Sequence, residues 1–381
     1  MDFTFSEEQQ AAGEAARGVF ADVAPDAVPS PALTTGAVAD EFDRALWSRL
    51  ADADLLSLLV AEEYGGAGLD AVALCLVLRE SAKVLARVPL LENSAAMAAV
   101  QAYGGPELRG QLLERAGRGE VVLTVAANGR TGHDPAELAV TARQEGEGEG
   151  ADWILDGVQT AVPWAYDADF VVVPAHTAAG RTVLALVPRV HDGVALGEQF
   201  STSGERLGEL RLESVRITAR DVIDAEGAWA WLRDLLTTGT CALALGLGER
   251  VLRMSSEYTS KREQFGFPVA TFQAVAVQAA DRYIDLRAME VTLWQAAWRI
   301  ASAARGALPV AGDVAVAKIW ASEGVRRVVQ TAQHLHGGFG ADVDYPLHRY
   351  HAWAKHLELS LGPAAAHEEA LGDLLAAHSL G

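Results

Sequence analysis

Apolar residues recur at helical spacing in the first third of the chain and again in its last third. Near the start, Ser6 and Gln9 have the spacing of a capping box, in which both side chains satisfy free backbone N–H groups at the start of a helix. Two amphipathic stretches follow, and a further helix pair occupies 90–119. We therefore predict an N-terminal helical domain over residues 1–120.

From Val121 the pattern changes to short β-branched runs separated by turn residues, which is typical of strands. The runs are 121–126, 151–155, 169–174, 181–187 and 209–217. The dipeptide Asp156-Gly157 predicts a tight hairpin turn, because type I′ geometry needs positive φ at both central positions. We predict a small β-sandwich or barrel over residues 121–227.

Helical periodicity returns at Ala228 and continues almost to the end of the chain. Four long segments carry it, near 228–261, 271–305, 311–335 and 346–378. Small residues recur in the first of them, among them Gly239, Gly246 and Gly248, and they allow another backbone or a flat ligand to approach closely. We predict a C-terminal four-helix bundle over 228–381 and hence a mainly α protein with a central β domain.

Composition and charge narrow the classes of function. Half of the residues are apolar and the net charge is −20, so the chain lacks the basic face that nucleic acid or an anionic membrane would require. No uninterrupted apolar run has the length of a membrane span, and the acidic N-terminus lacks a signal-peptide pattern. Cys75 and Cys241 lie in apolar helical patterns, typical of buried reduced thiols. We expect a cytoplasmic protein without membrane insertion or nucleic-acid binding.

Three segments spread across the chain indicate a more specific chemistry. They are Glu62-Glu63-Tyr64-Gly65-Gly66-Ala67-Gly68, Arg262-Glu263-Gln264-Phe265-Gly266, and His336-Gly337-Gly338-Phe339-Gly340 followed by Tyr345-Pro346. A single glycine pair usually marks only a turn. Together, and in this order within a helix, strand, helix framework, the segments resemble the interhelical loop, the RxQFG motif and the GGxG segment of acyl-CoA dehydrogenases.

The resemblance implies α,β-desaturation of an acyl-CoA thioester, with FAD as cofactor and electron-transfer flavoprotein as a partner. In this family the flavin ring lies between the β domain and the C-terminal bundle of one subunit, while the pyrophosphate and adenine reach a neighbouring subunit. The implied cofactor-binding residues are Arg262, Gln264, Phe265, His334, Gly337, Gly338 and Gly340. A guanidinium can make paired, charge-assisted hydrogen bonds to a pyrophosphate, and glycines let a backbone approach the adenine end.

His334 stands where family members often carry a glutamine that contacts the adenine region, and an imidazole can donate one hydrogen bond there. His334 and His336 also form a His-x-His pair. Without further ligands such a pair does not predict a metal site, and we expect none.

The chain departs from the family at the catalytic base. The desaturation requires a carboxylate that accepts the Cα proton. The family's usual position for it falls on Leu361, and a less common position falls on Leu236 or Thr237, none of which can act as a base. Glu358 is the only nearby candidate, because one helical turn separates it from Leu361 and both could face the same side of a helix.

The segments that meet the flavin ring in the family are changed as well. Its TEPGAGSD loop is replaced by 124–134, which reads TVAANGRTGHD. Its WITNG segment is replaced by 161–165, where Pro163 also removes a backbone donor. The ring half of the site thus departs from the family pattern, whereas the pyrophosphate half retains it.

A loss confined to one half of a site is expected where unlike chains share that site. The sequence is similar to the base-lacking subunit of actinobacterial heterotetrameric acyl-CoA dehydrogenases, which act on CoA thioesters of steroid side chains; the likeness is greatest over 334–350. It implies a homologous partner that brings the glutamate and the ring loop. Two alternatives stay open: an autonomous homo-oligomeric acyl-CoA or acyl-carrier-protein dehydrogenase with an atypical base, and a non-enzymatic scaffold of the same fold.

Overall fold

Two groups of helices flank a central sheet in the computed structural model, which describes residues 4–39, 41–131, 139–146 and 150–378. The first helices are α1 (Glu7–Phe20), α2 (Arg44–Asp52), α3 (Ala71–Lys83), α4 (Leu90–Tyr103) and α5 (Pro106–Gly117). The sheet strands are β1 (Leu123–Val125), β2 (Val140–Glu145), β3 (Asp152–Val162), β4 (Phe170–Thr177), β5 (Thr182–Pro188), β6 (Val194–Phe200), β7 (Arg206–Ile217) and β8 (Val222–Ile223).

The C-terminal part begins with the longest helix of the chain. Its helices are α6 (Ala228–Lys261), α7 (Gln273–Ser302), α8 (Val310–His336), α9 (Leu347–Leu359) and α10 (Ala364–Ala377), with a short hairpin of β9 (Glu263–Gln264) and β10 (Phe267–Pro268) after α6. The predicted fold class, helices around a central β domain, is confirmed. The domain limits at 120 and 227 stay a prediction.

The capping box at the N-terminus is confirmed and ties two helices together. Ser6 Oγ accepts from Gln9 N at 3.2 Å, and Gln9 Oε1 accepts from Ser6 N at 3.0 Å. The Gln9 amide also donates to the carboxylate of Asp70 at 2.9 Å. Because Asp70 itself caps α3 by accepting from Val72 N and Ala73 N, the cap of α1 also fixes the start of α3.

The central β domain is a single mixed sheet in the strand order β6-β7-β3-β2-β4-β5-β8. Most neighbours are antiparallel, but β2 and β1 both run parallel to β4. Buried side chains on one face of the sheet, such as Val171 and Val183, form a core of their own, whereas those on the other face, such as Val172 and Leu184, belong to the larger helical core.

The hairpin predicted at Asp156-Gly157 was wrong, because both residues lie inside β3. Gly157 has φ +148° at a register shift between β3 and β7, and a Cβ there would lie 2.3 Å from the carbonyl oxygen of Ala139. Asp156 Oδ1 accepts from Ser214 N at 2.7 Å on β7. The glycine thus accommodates a bulge, while the turn between β2 and β3 falls after Glu145, partly outside the described residues.

The small residues of α6 serve helix packing. A Cβ on Gly246 would lie 2.0 Å from the carbonyl oxygen of Arg79 on α3, and one on Gly239 would lie 2.3 Å from Leu91 Cδ1 on α4. Both glycines therefore allow α6 to cross these helices at close range. Cys75 and Cys241, on α3 and α6, are buried and unpaired as predicted.

Among the described residues, α6 is long and apolar enough to span a bilayer by length and composition. In the structure 78% of its most apolar window is buried, as in the core helix of a folded bundle.

The helix predicted over 346–378 is two helices. Leu361 has φ +58° and Gly362 φ +95°, and Pro363 cannot donate a backbone hydrogen bond, so α9 ends at Leu359. The buried ammonium of Lys318 donates to the carbonyl oxygens of Leu357 at 2.8 Å and Glu358 at 3.2 Å. It thereby satisfies the free carbonyl groups at the end of α9.

The crossing of α6 and α3 yields a stability prediction. Gly246→Ala should destabilise the chain by about 1–3 kcal/mol, because the methyl group must displace the Arg79 backbone. Gly372→Ala is the matched control, since Gly372 is exposed on α10 and an added Cβ would meet no atom within 4 Å, and it should stabilise by about 0.5–1 kcal/mol. Urea unfolding measures the free energy of unfolding of both variants. Equal effects of the two substitutions would contradict the close approach of α6 to the Arg79 backbone.

Candidate active site and cofactor surface

A partly open cavity of about 90 Å³ lies where the N-terminal helices, the sheet and the C-terminal helices meet. Side chains of α3, α4, β1, β3, α6 and α9 line it. Binding sites for small molecules usually measure about 300–1,000 Å³. By itself the cavity therefore does not accommodate a flavin ring together with an acyl chain, although an open groove of about 540 Å³ adjoins it.

Both positions at which the family resemblance places a catalytic base lie on this cavity. Leu236 reaches it from α6 and Leu361 from the turn after α9, and both are buried. Thr237 does not line it, and its hydroxyl donates to the Arg233 carbonyl oxygen at 2.8 Å. The structure thus brings the two expected base positions together, and apolar side chains occupy both.

Glu358 does not take the place of the base in this structure. Its Oε2 lies 2.6 Å from Lys355 Nζ, and the residue is not part of the cavity wall. The helical spacing that would set it beside Leu361 is absent, because α9 ends at Leu359 and Leu361 adopts a left-handed backbone conformation.

Two other carboxyl groups, Glu92 and Glu205, do line the cavity. Glu92 Oε2 accepts from the indole N–H of Trp164 at 3.1 Å, and burial raises the pKa of Glu92 to about 7. Glu205 is 5% exposed, and its Oε1 has no hydrogen-bond partner. Burial, together with the nearby charge of Glu92, raises the pKa of Glu205 to about 8.

His356 of α9 lines the same wall, with Nε2 4.0 Å from Glu205 Oε2. Burial lowers the pKa of His356 to about 4, so the imidazole is neutral near pH 7. Glu92, Glu205 and His356 belong to no sequence motif and were not predicted as site residues. The one available signal was Glu92, a charged residue within the apolar run of α4.

At the other end of α6, residues 262–268 form an exposed arm. Arg262 is the C-cap of α6, and its carbonyl oxygen accepts from Val269 N at 2.7 Å. Its guanidinium is exposed and has no ion-pair or hydrogen-bond partner in the described part of the chain. Gln264 is exposed, and Phe265, at φ +56°, is 90% exposed.

An aromatic cluster connects this arm to the glycine segment Gly337–Ala341, a short 3₁₀ helix after α8. His336 stacks on Tyr258 of α6 with ring centroids 4.4 Å apart, and its Nε2 lies 3.1 Å from the hydroxyl of Tyr345. Phe339 packs on Tyr345 at 4.4 Å. The cluster holds the two motifs at one end of the bundle.

The glycine segment presents open backbone toward solvent. A Cβ at Gly337 or Gly338 would meet no atom within 4 Å, whereas Gly340 packs against the amide of Gln333. His334 is exposed, and both nitrogens of His336 already have partners, Ala332 O and Tyr345 Oη. Within the described ranges, no group of three His, Cys, Asp or Glu residues is placed to hold a metal ion.

The residues present fit one half of a flavin dinucleotide. A free guanidinium and unobstructed glycines suit a diphosphate and an adenine, whereas the cavity is too small for the ring. The two halves are also far apart, since the 26 residues from Leu236 to Arg262 span about 39 Å at 1.5 Å per residue. In segment 124–134, which replaces the family's TEPGAGSD loop, Gly132, His133 and Asp134 lie outside the described residues.

Two models of one protein family match most of the chain. Acyl-CoA dehydrogenase, N-terminal domain, matches residues 6–120, and Acyl-CoA dehydrogenase, C-terminal domain, matches residues 237–375. The acyl-CoA dehydrogenase FadE27 of Mycobacterium tuberculosis is 37% identical over 383 residues, which covers 99% of both chains.

Two solved structures are similar over nearly the whole chain. A chain of the ChsE4–ChsE5 complex from Mycobacterium tuberculosis has a TM-score of 0.88 and 36% identity, with 99% of both chains covered. A variant of the Tcur3481–Tcur3483 steroid ACAD has a TM-score of 0.87 and 37% identity, with 97% of this chain and 98% of that chain covered.

The buried Glu205 predicts a dependence of stability on pH. Because folding raises its pKa from 4.5 to about 8, its contribution is fully present below pH 4.5 and is lost as the pH rises through 8. The charges of Glu92, Asp167 and Asp26 also raise the pKa of Glu205, whereas the charge of Arg87 lowers it. Glu205→Gln, which stays neutral, should gain a few kcal/mol over the native chain between pH 5 and pH 8, at about 1.4 kcal/mol per pKa unit.

Thermal or urea unfolding at both pH values measures this difference. Glu14→Gln is the control, because Glu14 is exposed on α1 and should follow the native chain at both pH values. A parallel pH dependence of the Glu205→Gln and native chains would show that Glu205 is ionised without penalty in the folded state.

Proposed function

The chain belongs to the acyl-CoA dehydrogenase family, and we propose that it is a base-lacking subunit that completes the FAD site of a catalytic partner. The observation that carries the proposal is the arm: Arg262 is exposed without a partner of its own, and Phe265 beside it is 90% exposed. Phe265 packs against the partly exposed Phe272 and lies beside the exposed Phe267, and a contiguous apolar patch of this kind marks an interaction site.

The separation of the two site halves supports a flavin shared between chains. One dinucleotide bound at the arm cannot also reach Leu236, because most of α6 lies between them. A diphosphate at Arg262 therefore leaves its ring to another polypeptide. In this chain Arg262 would bind and orient the diphosphate, and Gly337 and Gly338 would admit the adenine end.

An apolar stripe on α7 supports an assembly. Val277, Ile284 and Val291 are each more than half exposed, and their spacing of seven residues places them on one side of the helix. The stripe begins directly after the arm, so a subunit that packs on α7 would also reach Arg262. Exposed apolar surface of this extent marks an interaction site.

The reaction proposed for the assembly is α,β-desaturation of an acyl-CoA thioester. FAD supplies the hydride acceptor when bound, and the partner would supply the carboxylate, since leucine occupies both base positions here. The similar steroid ACAD favours CoA thioesters of steroid side chains as the substrate class. By family resemblance, electron-transfer flavoprotein is the proposed acceptor, and a cytoplasmic heterotetramer is the proposed form.

An autonomous dehydrogenase is the competing function, and Glu92 and Glu205 are the carboxyl groups that it could use, because both line the cavity. The leucines at both expected base positions oppose it. The homogeneous chain should therefore purify with little flavin and oxidise acyl-CoA thioesters slowly or not at all, as absorbance spectra and dye-coupled assays can measure. A yellow, active single chain would favour the autonomous enzyme.

The contact between Arg262 and the diphosphate yields a mutational prediction. In the complex co-purified with the catalytic partner, Arg262→Ala should weaken FAD binding by about ten- to a hundredfold, because a hydrogen bond to a charged group contributes about 1.5–3 kcal/mol. Arg262→Lys should restore only part of the affinity, since an ammonium lacks the paired geometry. Titration of the flavin-free complex with FAD, followed by flavin fluorescence, measures each affinity.

The matched control is Arg305→Ala. Arg305 is also exposed and without a partner among the described residues, but it follows the far end of α7. Its replacement should leave FAD affinity unchanged. Native affinity in the Arg262→Ala complex would exclude the proposed contact, whereas equal losses in both variants would indicate a general effect of surface charge.

A further inference from the structure

The cavity beside Glu205 holds two acidic groups without a cation of their own. Glu92 and Glu205 both line it, and the buried Glu205 Oε1 has no hydrogen-bond partner. The charge of Arg87 acts on Glu205, but Arg87 forms its ion pair with Asp26 and donates to the Ser203 carbonyl oxygen at 3.0 Å, while its Nε and Nη1 have no hydrogen-bond partner. A buried carboxylate that forms no ion pair with a lysine or arginine favours a positively charged ligand.

The remaining walls suit a small organic cation better than a hydrated ion. The rings of Trp164 and Trp353 line the cavity, and aromatic faces attract ammonium groups. The Arg87 guanidinium already lies 5.1 Å from the Trp353 ring centroid, so Trp164 is the ring left for a ligand. The opposite wall is apolar and includes Leu236, Leu243 and Leu361. An alkyl chain could pack there while its charged end remains near the carboxyl groups.

The volume limits the size of such a ligand. The cavity measures about 90 Å³, whereas a cavity of about 150 Å³ accommodates benzene. About four non-hydrogen atoms therefore fit, which corresponds to a propylammonium ion.

Access from solvent is provided by an adjoining groove. An open groove of about 540 Å³ shares Asn128, Ala161, His356 and Ser360 with the cavity. A ligand can therefore enter between the sheet and the turn that joins α9 to α10.

From this arrangement we propose that the cavity is a binding site for a short primary alkylammonium ion. The ammonium group donates hydrogen bonds to Glu205 Oε1 and the Glu92 carboxylate, and the alkyl chain packs against Leu236 and Leu361. The neutral His356 leaves the charge of the ligand unopposed. This site is separate from the arm and does not depend on a flavin or a partner chain.

The test uses the purified full-length chain at pH 9, where Glu92 and Glu205 are ionised and propylammonium is still protonated. The ligand is n-propylammonium chloride, with 1-propanol as the neutral ligand of equal size and sodium chloride as the ionic control. Calorimetric titration should show saturable binding of propylammonium at least about tenfold tighter than that of 1-propanol, because charged hydrogen bonds contribute about 1.5–3 kcal/mol. Sodium chloride should give no saturable signal.

Variants locate the site. Glu205→Gln should abolish the preference for the ammonium over the alcohol, and circular dichroism confirms that this variant is folded. Glu14→Gln, on exposed α1, should keep the preference. The proposal is overturned if propylammonium and 1-propanol bind alike, if neither binds, or if folded Glu205→Gln retains the full preference. These outcomes are independent of the flavin role, since neither FAD nor the partner is present.

Discussion

The packing of α6 against α3 is the constraint on which the rest of this structure depends. Gly246 lets the helix approach the Arg79 backbone, and the Arg79 side chain then pairs with Glu249, with Nε donating to Oε2 at 2.9 Å. The 34-residue helix so fixed carries Leu236 at one end and Arg262 at the other. The apolar cavity and the exposed arm are thereby held at a fixed separation. A dinucleotide bound at the arm therefore cannot also reach the cavity.

The arm and the cavity, which are the two halves of the candidate site, differ in character. The arm is shaped for a contact that the chain does not complete by itself, since Phe265 is exposed and the Arg262 guanidinium has no partner among the described residues. The cavity has the opposite character, because leucines fill its two base positions and its volume is small. Under the proposed function, this chain needs no space for a flavin ring at the cavity, whereas its arm needs a neighbouring chain.

Local chemistry was predictable from the sequence where a few adjacent residues determine it. The capping box at Ser6 and the bounds of α6 followed from spacing alone. Strands β2 and β6 were missed because their side chains are largely exposed and lack the apolar alternation of a half-buried strand. The break before α10 was missed because helical periodicity resumes on its far side, although Gly362-Pro363 marks it.

Features that depend on distant residues were beyond prediction. Glu205 lies between β6 and β7 and His356 on α9, and no local pattern places them 4.0 Å apart. The dipeptide Asp156-Gly157 is typical of turns, but pairing with β2 and β7 places Gly157 inside β3. The motif residues of the arm and the glycine segment were recognisable in the sequence. The stacking of Tyr258 on His336, which brings the two segments together, could be seen only in the structure.

A structure of the chain in its assembly with bound FAD tests the central claim most directly. The flavin diphosphate should lie against the Arg262 guanidinium, with the isoalloxazine ring enclosed by a different polypeptide whose carboxylate faces the substrate. An isoalloxazine ring inside the Leu361 cavity of this same chain, with Glu92 or Glu205 over it, would contradict a divided site.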